Sequence, residues 1–567
     1  MKIQRFLKQA VWATLAVFVL LHLGDALGRL CVPCSDCPWF FGQPHPVWTI
    51  VRVVVTYTLL PVAAVLVFGR WARLLLIPGF CYALLADVAV AYTYAVYNAA
   101  LAGLWPTVFA NTSAEETLAF LKMSLTPGGV AGAVGTLAAL VAGVWLLATA
   151  RYPRVTRRSA VLGLALPLPF LVLNILTMNP RFGIRETLYS DFVIRSAQCW
   201  QRLKGIGKAC AGEPNLPKRL ELSVAETNAP NVVIVIGESA SRNYWHLYGY
   251  PRATTPRLDT LCADGQGGVC FRDVVSPHGE TTEAVCMLLS DVTIDNPSDG
   301  NWTLAEVYRR AGYRGVFVNN QFLWRFDMDV LLSQIFNGCE TKINLPAVFA
   351  NENGGKVYDE RTVEFLRREL ARDDSRPAVV FVHLAGLHMP VEDACPKSDA
   401  YFTDNVDGAC LQGLSAEQRD RRNRYDDGIR YEDKVLGALI DALEATSRRP
   451  SCLFFISDHG ESPRAKSWRD FGDLDVYEVP MVVWFSESYR RAFPDVVAGA
   501  RRAAGRPMQS DELTFGLIEL GRIRGLGEDA SRRSFLSEGF SGRVSRKINK
   551  GRIDYPRERR SRAPAPP

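Results

Sequence analysis

Two adjacent side chains able to bind metal, Asp458 and His459, close the apolar run Phe454, Phe455, Ile456 and are followed by Gly460. Far upstream a second apolar run, Val232 to Ile236, passes through Gly237 into the carboxylate Glu238. Open α/β sheets carry their chemistry in the crevice outside the carboxyl ends of their strands, and both segments end there. Neighbouring residues of a regular strand point to opposite faces, so Asp458 and His459 can meet one ion only where the chain leaves the strand and turns at Gly460. Either segment alone reads as a strand-end hydrogen bond. Together they point to a metal-dependent enzyme.

A third segment supplies a hydroxyl. Ser276, Pro277, His278, Gly279 and Glu280 form a loop, and after Thr281 the spacing of Ala284, Val285, Met287, Leu288 and Leu289 predicts a helix. Thr281 reads as its N-cap. A hydroxyl at a helix amino terminus lies beside exposed N–H groups and the positive end of the dipole, which suit a phosphate attached to it. Beside a metal ion its effective pKa falls and it becomes a nucleophile; Thr282 is the neighbouring rival. Glu238, Thr281, Asp458 and His459 then make an O,O,O,N donor set, compatible with zinc in a catalytic site. Two further histidines, His383 and His388, follow the apolar run ending at Val382. One could contact a second metal or a substrate phosphate, and the other could act as general acid.

The elements that position these residues fall into two regions. In a chain of 567 residues, with room for two or three domains, the longest apolar runs crowd into the first part, at about 10–27, 47–68, 74–103, 129–150 and 159–178. Each can cross a hydrocarbon core, which needs about 20 residues of helix. Lys2, Arg5 and Lys8, then Arg70 and Arg73, then Arg151, Arg154, Arg157 and Arg158 mark alternate connections as cytoplasmic. Five spans therefore place everything that follows outside the cytoplasm. Ala26, Leu27 and Gly28 fit a cleavage site poorly, which predicts an uncleaved anchor.

Nine of the 13 cysteines lie beyond the fifth span. In an oxidising compartment, proximity suggests the pairs Cys199–Cys210, Cys262–Cys270 and Cys395–Cys410, and one disulfide plus a free thiol among Cys31, Cys34 and Cys37. Beyond Pro230, β-rich runs at 231–237, 314–319, 377–383, 452–457 and 479–485 alternate with helical stretches such as Leu304 to Ala311 and Thr362 to Ala371. That alternation predicts a mainly parallel sheet sandwiched by helices. The expected organisation is a five-helix transmembrane domain at 1–180, a linker with amphipathic helices at 181–229, an α/β catalytic domain at 230–540, and a basic disordered tail at 541–567. The net charge of +6 is modest, and no nucleic-acid partner is expected. Nine Lys or Arg against two acids between Arg543 and Arg562 read as a solvated run.

The stretches Asn231 to Ser241, Tyr248 to Tyr250, Thr254 to Pro256, Ser276 to Leu289, His383 to Pro390, Arg424 to Tyr431 and Ser457 to Glu461 together resemble one family. It is that of the membrane-anchored phosphoethanolamine transferases of bacterial envelopes, in the alkaline phosphatase and sulfatase-like superfamily. The resemblance implies an inner-membrane, multi-pass, monomeric enzyme with a periplasmic catalytic domain. It implies zinc held by Glu238, Thr281, Asp458 and His459, one site with a second possible. It also implies transfer of phosphoethanolamine from phosphatidylethanolamine, by way of a phosphorylated Thr281, to lipopolysaccharide or another glycan acceptor. Thr112 and Glu116 correspond to donor head-group contacts. The loop Ser276 to Glu280 looks closer to the branch acting on core sugars or other glycans than to the best-known lipid A branch. Two departures stand out: Glu478 replaces a histidine before Val479 and Pro480, and after Asn319 and Asn320 the chain carries Gln321, Trp324 and Arg325 in place of a serine–lysine pair. Asn320, Arg325 and Glu478 are accordingly candidate substrate contacts. The competing readings are transfer of another head group such as glycerol phosphate, a metal-dependent hydrolase of the same superfamily, and an inactive sensor of the same fold.

Overall fold

The computed structural model describes residues 60–81, 84–85, 127–152, 154–165, 222–224, 228–296, 302–321, 335–349, 357–388, 391–406, 408–463, 471–526, 528–549, 551 and 553–562. The chain forms two compact units, one within residues 1–200 and one holding almost all of the rest.

In the first unit the described helices are α1 (Leu60–Phe68), α2 (Pro127–Thr149) and α3 (Arg157–Ala165). Two stretches, Pro61–Cys81 and Val130–Thr149, are long and apolar enough to cross a membrane. Leu74, Leu75, Val134, Leu137, Val141 and Trp145 are exposed on them, as lipid-facing side chains would be. Gly69, with φ 53°, ends α1, and a 3-10 turn over Gly69–Ala72 follows where Arg70 and Arg73 were expected to separate two spans. The first expected span, most of the third and the greater part of the fifth lie outside the described residues.

The second unit is built on a mixed seven-stranded sheet. Its strands are β1 (Asn231–Gly237), β2 (Gly268–Phe271), β3 (Arg314–Asn319), β4 (Thr341–Asn344), β5 (Ala378–His383), β6 (Ser451–Ser457) and β7 (Met481–Phe485). Their order across the sheet is β2-β7-β6-β1-β5-β3-β4. β1 pairs in parallel with β5 and β6, and β3 pairs in parallel with β5 and β4. β7 runs antiparallel to both β6 and β2, so that edge departs from the parallel pattern. The central strands are continuous β-branched and aromatic runs, buried along their whole length, because helices cover both faces. The register sets Ile236 beside His383 on one side and Ile456 on the other, so the ends of β1, β5 and β6 form one rim.

Two helices matter for that rim. The short α4 (Thr281–Leu288) brings the hydroxyl segment to it. The long α5 (Ala416–Thr446) opens with a capping box between Ser415 and Gln418. Its Tyr425, Ile429, Leu436, Leu439, Ile440 and Leu443 recur at helical spacing and pack on Val233, Val235, Leu453 and Phe455 of the sheet.

Two expectations are corrected here. Within the stretch expected to be a disordered tail, Lys547–Ile548 pairs with Ile553–Asp554, and α6 (Tyr555–Arg562) follows. Charge read as solvated is instead neutralised locally. Arg546 grips Asp273 with two bonds of 2.8 and 3.0 Å, Arg543 meets Glu512 and Asp295 at 2.6 Å each, and Ile548 and Tyr555 are fully buried. No disulfide joins Cys262 to Cys270 or Cys395 to Cys410. Closeness in sequence does not set side-chain direction: Cys270 faces the Tyr248 hydroxyl, and the Tyr250 hydroxyl lies 3.8 Å from Cys410 Sγ. Cys31, Cys34, Cys37, Cys199 and Cys210 fall outside the described residues.

Candidate metal centre and nucleophile

Glu238 follows β1 directly, and the backbone around it is forced. Ser239 adopts φ 60°, a conformation that non-glycine residues rarely hold and that surrounding contacts must maintain. The Tyr425 hydroxyl from α5 does so, donating to the Ser239 carbonyl at 2.8 Å while accepting from the Ser241 N–H at 2.9 Å. The strained turn aims Glu238 across the rim, where Ser239 Oγ donates to its Oε1 at 2.6 Å.

Asp458 and His459 leave β6 as the sequence requires. The Asp458 N–H still bonds to Gly237, which joins the two strand ends. Gly460 turns the chain where a Cβ would lie 2.1 Å from the Asp475 carbonyl, a position no other residue could take without shifting the backbone. Asp458 Oδ1 accepts from the N–H groups of Ser239 and His459, at 3.1 and 2.6 Å. Its Oδ2 faces inward, 3.5 Å from His459 Nε2, and Glu238 Oε1 lies 3.4 Å from the same nitrogen. One donor atom from each of the three residues falls within 4.8 Å of the others, and all three are buried.

These residues fit a divalent metal. His459 Nδ1 is 2.9 Å from the Gly460 carbonyl, a partner that places the proton on Nδ1 and turns the Nε2 lone pair toward the carboxylates. Burial and the neighbouring Glu238 push the Asp458 carboxyl well above the usual carboxylate range, a cost that a bound cation reverses.

Thr281 is the first residue of α4, and the N-cap is Glu280. Its hydroxyl makes no capping bond; Thr281 Oγ1 donates to Glu238 Oε2 at 2.9 Å. It is partly exposed, whereas the rival Thr282 is buried. Hydroxyl, two carboxylates and imidazole thus come together from three separate parts of the chain.

The expected histidines are placed differently from each other. His383 ends β5, is buried and lies within electrostatic reach of Glu238 and His388; burial pushes its imidazole down to about 4, so it is neutral near pH 7. His388 closes the loop 384–388 and is half-buried. That loop lies against Glu238: the Leu387 N–H bonds to the Glu238 carbonyl at 3.0 Å, and Gly386, with φ 52°, leaves no room for a Cβ, which would sit 2.8 Å from the Glu238 backbone.

Two of the expected substrate contacts have partners within the protein. Asn320 is a structural bridge, its Nδ2 donating to Asp359 Oδ1 at 2.7 Å and the Val357 carbonyl at 3.1 Å. The Glu478 carboxylate accepts from Asn243 Nδ2 at 2.6 Å and from the Tyr555 hydroxyl, with Arg242 at 3.3 Å. Cations and donors on that side capture it. Thr112, Glu116 and Arg325 lie outside the described residues. One residue escaped the sequence reading as a functional candidate: Gln321, just past β3, donates to Glu238 Oε2 at 3.1 Å and to the Leu384 carbonyl at 2.8 Å. Its only signal was its place after a strand end.

A strained strand-end carboxylate, an Asp-His pair on the next parallel strand and a hydroxyl at a helix start define an α/β domain with a candidate metal site. The chain belongs to the sulfatase family, whose model matches residues 230–520. It is 28% identical over 316 residues to phosphoethanolamine transferase EptC of Escherichia coli (strain K12), a match covering 54% of this chain and 53% of that one. The chain thus spans about half the length of that relative. It is 25% identical over 488 residues to phosphoethanolamine transferase EptA of the same strain, covering 80% of this chain and 82% of the relative. Among solved structures, the C-terminal periplasmic domain of Escherichia coli EptC in complex with zinc superposes with a TM-score of 0.53 at 26% identity, covering 60% of this chain and 96% of that one. The integral membrane lipooligosaccharide phosphoethanolamine transferase A of Neisseria meningitidis shares the fold, with a TM-score of 0.63 at 19% identity, covering 93% of this chain and 98% of that one.

Proposed function

We propose that this protein transfers phosphoethanolamine from phosphatidylethanolamine to an envelope glycolipid or glycan, lipopolysaccharide lipid A or core, through a phosphorylated Thr281. The observation that carries the reading is the 2.9 Å hydrogen bond from Thr281 Oγ1 to Glu238 inside the buried Glu238, Asp458 and His459 group. The named relatives support the head group, and the two apolar helical stretches support a membrane-bound enzyme. In this reading a multi-pass monomer in the inner membrane holds its catalytic domain in the periplasm.

Zinc, held by the solved EptC domain, supplies when bound at Glu238, Asp458 and His459 a Lewis acid that lowers the pKa of the Thr281 hydroxyl. Glu238 takes the hydroxyl's hydrogen bond and holds Oγ1 in line for attack. Thr281 Oγ1 passes its proton to Glu238 as it bonds to phosphorus, and the bond from phosphorus to the diacylglycerol oxygen breaks. The N–H groups of the first turn of α4 receive the negative phosphoryl oxygens. His388, on the half-exposed end of its loop, protonates the departing alkoxide, with His383 behind it held neutral by burial. In the second half, an acceptor oxygen attacks the phosphothreonine and gives its proton to His388, the bond from phosphorus to Thr281 Oγ1 breaks, and Thr281 takes back the proton held by Glu238.

The test is incubation of the purified chain with phosphatidylethanolamine labelled in the head group. A covalent label on Thr281, absent from Thr281→Ala, with release of diacylglycerol, is expected. Diacylglycerol released only from phosphatidylglycerol would replace this reading with glycerol phosphate transfer.

A further inference from the structure

Thr281 is flanked by a second buried group that the transfer reaction does not use. His278, Glu280 and Glu283 are 0, 7 and 1% exposed, and one donor atom from each lies within 4.8 Å of the others. Glu283 stands two residues into α4 from Thr281, a rotation of about 200° about the helix axis, so it projects to the opposite side from the Glu238 hydrogen bond. The two groups therefore lie on either side of one helix start.

His278 gives the second group its character. Its ring is wholly buried and Nδ1 is 3.2 Å from Glu283 Oε2, yet neither ring nitrogen makes a hydrogen bond. A buried imidazole normally finds a hydrogen-bond partner, and one aimed at carboxylates without one is satisfied by a cation between them. The loop holding it is fixed: Ser276 Oγ donates to the His278 carbonyl at 2.9 Å, the Ser276 N–H bonds to Tyr477, and Gly279 packs against Val476 and Phe471. Asp511 lies within electrostatic reach of His278 and is itself held by the Ile294 N–H at 2.8 Å and Gln509 Nε2 at 2.9 Å, as an outer carboxylate of a metal site would be.

We infer that His278, Glu280 and Glu283 form a second, separate divalent-metal site that staples the loop before Thr281 to the first turn of α4. An N,O,O set with three protein ligands suits zinc, with a fourth position left for water. The assignment stands independently of the reaction proposed above, since it needs neither Thr281 chemistry nor a lipid.

The full chain in detergent, stripped with chelator and dialysed, is titrated with zinc alone, and bound metal is counted by mass spectrometry. Two equivalents are expected for the unaltered chain. One should remain when the first site is removed by Asp458→Asn with His459→Ala, and none when His278→Ala and Glu283→Gln are added. In the Asp458→Asn, His459→Ala background, zinc should also raise the thermal midpoint, an effect lost with His278→Ala. A single equivalent in the unaltered chain, a count that needs no variant, overturns the proposal. So does a second equivalent that survives His278→Ala with Glu283→Gln when Asp458 and His459 are intact.

Discussion

Asp359 tests how the loop carrying His388 is held. Its buried carboxylate receives three donors: Asn320 Nδ2 at 2.7 Å and the Ala385 N–H at 2.8 Å on Oδ1, and the Gly386 N–H at 2.8 Å on Oδ2. Replacement by asparagine keeps the shape but turns one oxygen into a donor. In the better of the two amide orientations the carbonyl replaces Oδ1, and the new NH2 faces the Gly386 N–H. One charge-assisted bond, worth about 1.5–3 kcal/mol, is lost and a buried N–H is left without an acceptor, for a total of roughly 3 kcal/mol. At about 2 °C per kcal/mol for a domain of this size, the thermal midpoint should fall by ~6 °C. Because Gly386 lies against the Glu238 backbone, zinc affinity should fall as well. The assay is thermal unfolding of the full chain at pH 8, with and without zinc, beside a zinc titration. An Asp359→Asn protein that melts within a degree of the parent and binds zinc equally well would refute the argument that this carboxylate fixes the loop.

Three further outcomes are expected. Gln321→Ala removes a donor that orients Glu238 and should weaken zinc binding about 10-fold or more, while the unfolding midpoint measured without metal changes little. For His383, burial lowers the folded-state pKa from 6.5 to about 4, so as the pH falls the unfolded chain takes up its proton first. The domain should therefore lose about 3 kcal/mol between pH 6.5 and 4, and a His383→Gln protein with the same slope of midpoint against pH would contradict this. Glu478→Gln should lower the unfolding midpoint by weakening the Arg242 and Tyr555 network and leave the acceptor KM unchanged; a raised KM at unchanged stability would return Glu478 to substrate contact.

The sheet was legible where strands are long apolar runs. β1, β3, β5, β6 and β7 each announce themselves through Val, Ile and Phe, and their ends therefore exposed Glu238, Asp458 and His459 as ligand candidates. The edges β2 and β4 were not legible: four residues each, they hold Gly268 and Lys342 and are only partly covered, so their pairing comes from the neighbouring strand. The partners of Asn320 and Glu478 were not legible, because a position matched to a family says where a residue stands, while its partner is fixed by distant chain. The Tyr555 hydroxyl reaches Glu478 from 77 residues away. The tail misled for a related reason, since Arg543 and Arg546 find their acids only after folding.

The strand order has a consequence for how the protein is made. β1 is the first strand of the sheet to be synthesised, yet it ends up at the centre, between β5 and β6. Asn231 at its start bonds to Ala378 and Ser447, 147 and 216 residues later, and Ser239 waits for Asp458, 219 residues later. An emerging chain therefore carries a wholly apolar strand with both edges bare for most of the domain's synthesis, an aggregation hazard that calls for a holding chaperone. The same delay acts as a safeguard for the proposed reaction: Glu238 and Thr281 appear early, but the group of Glu238, Asp458 and His459 closes only when β6 docks, so an unfinished chain would lack the complete site.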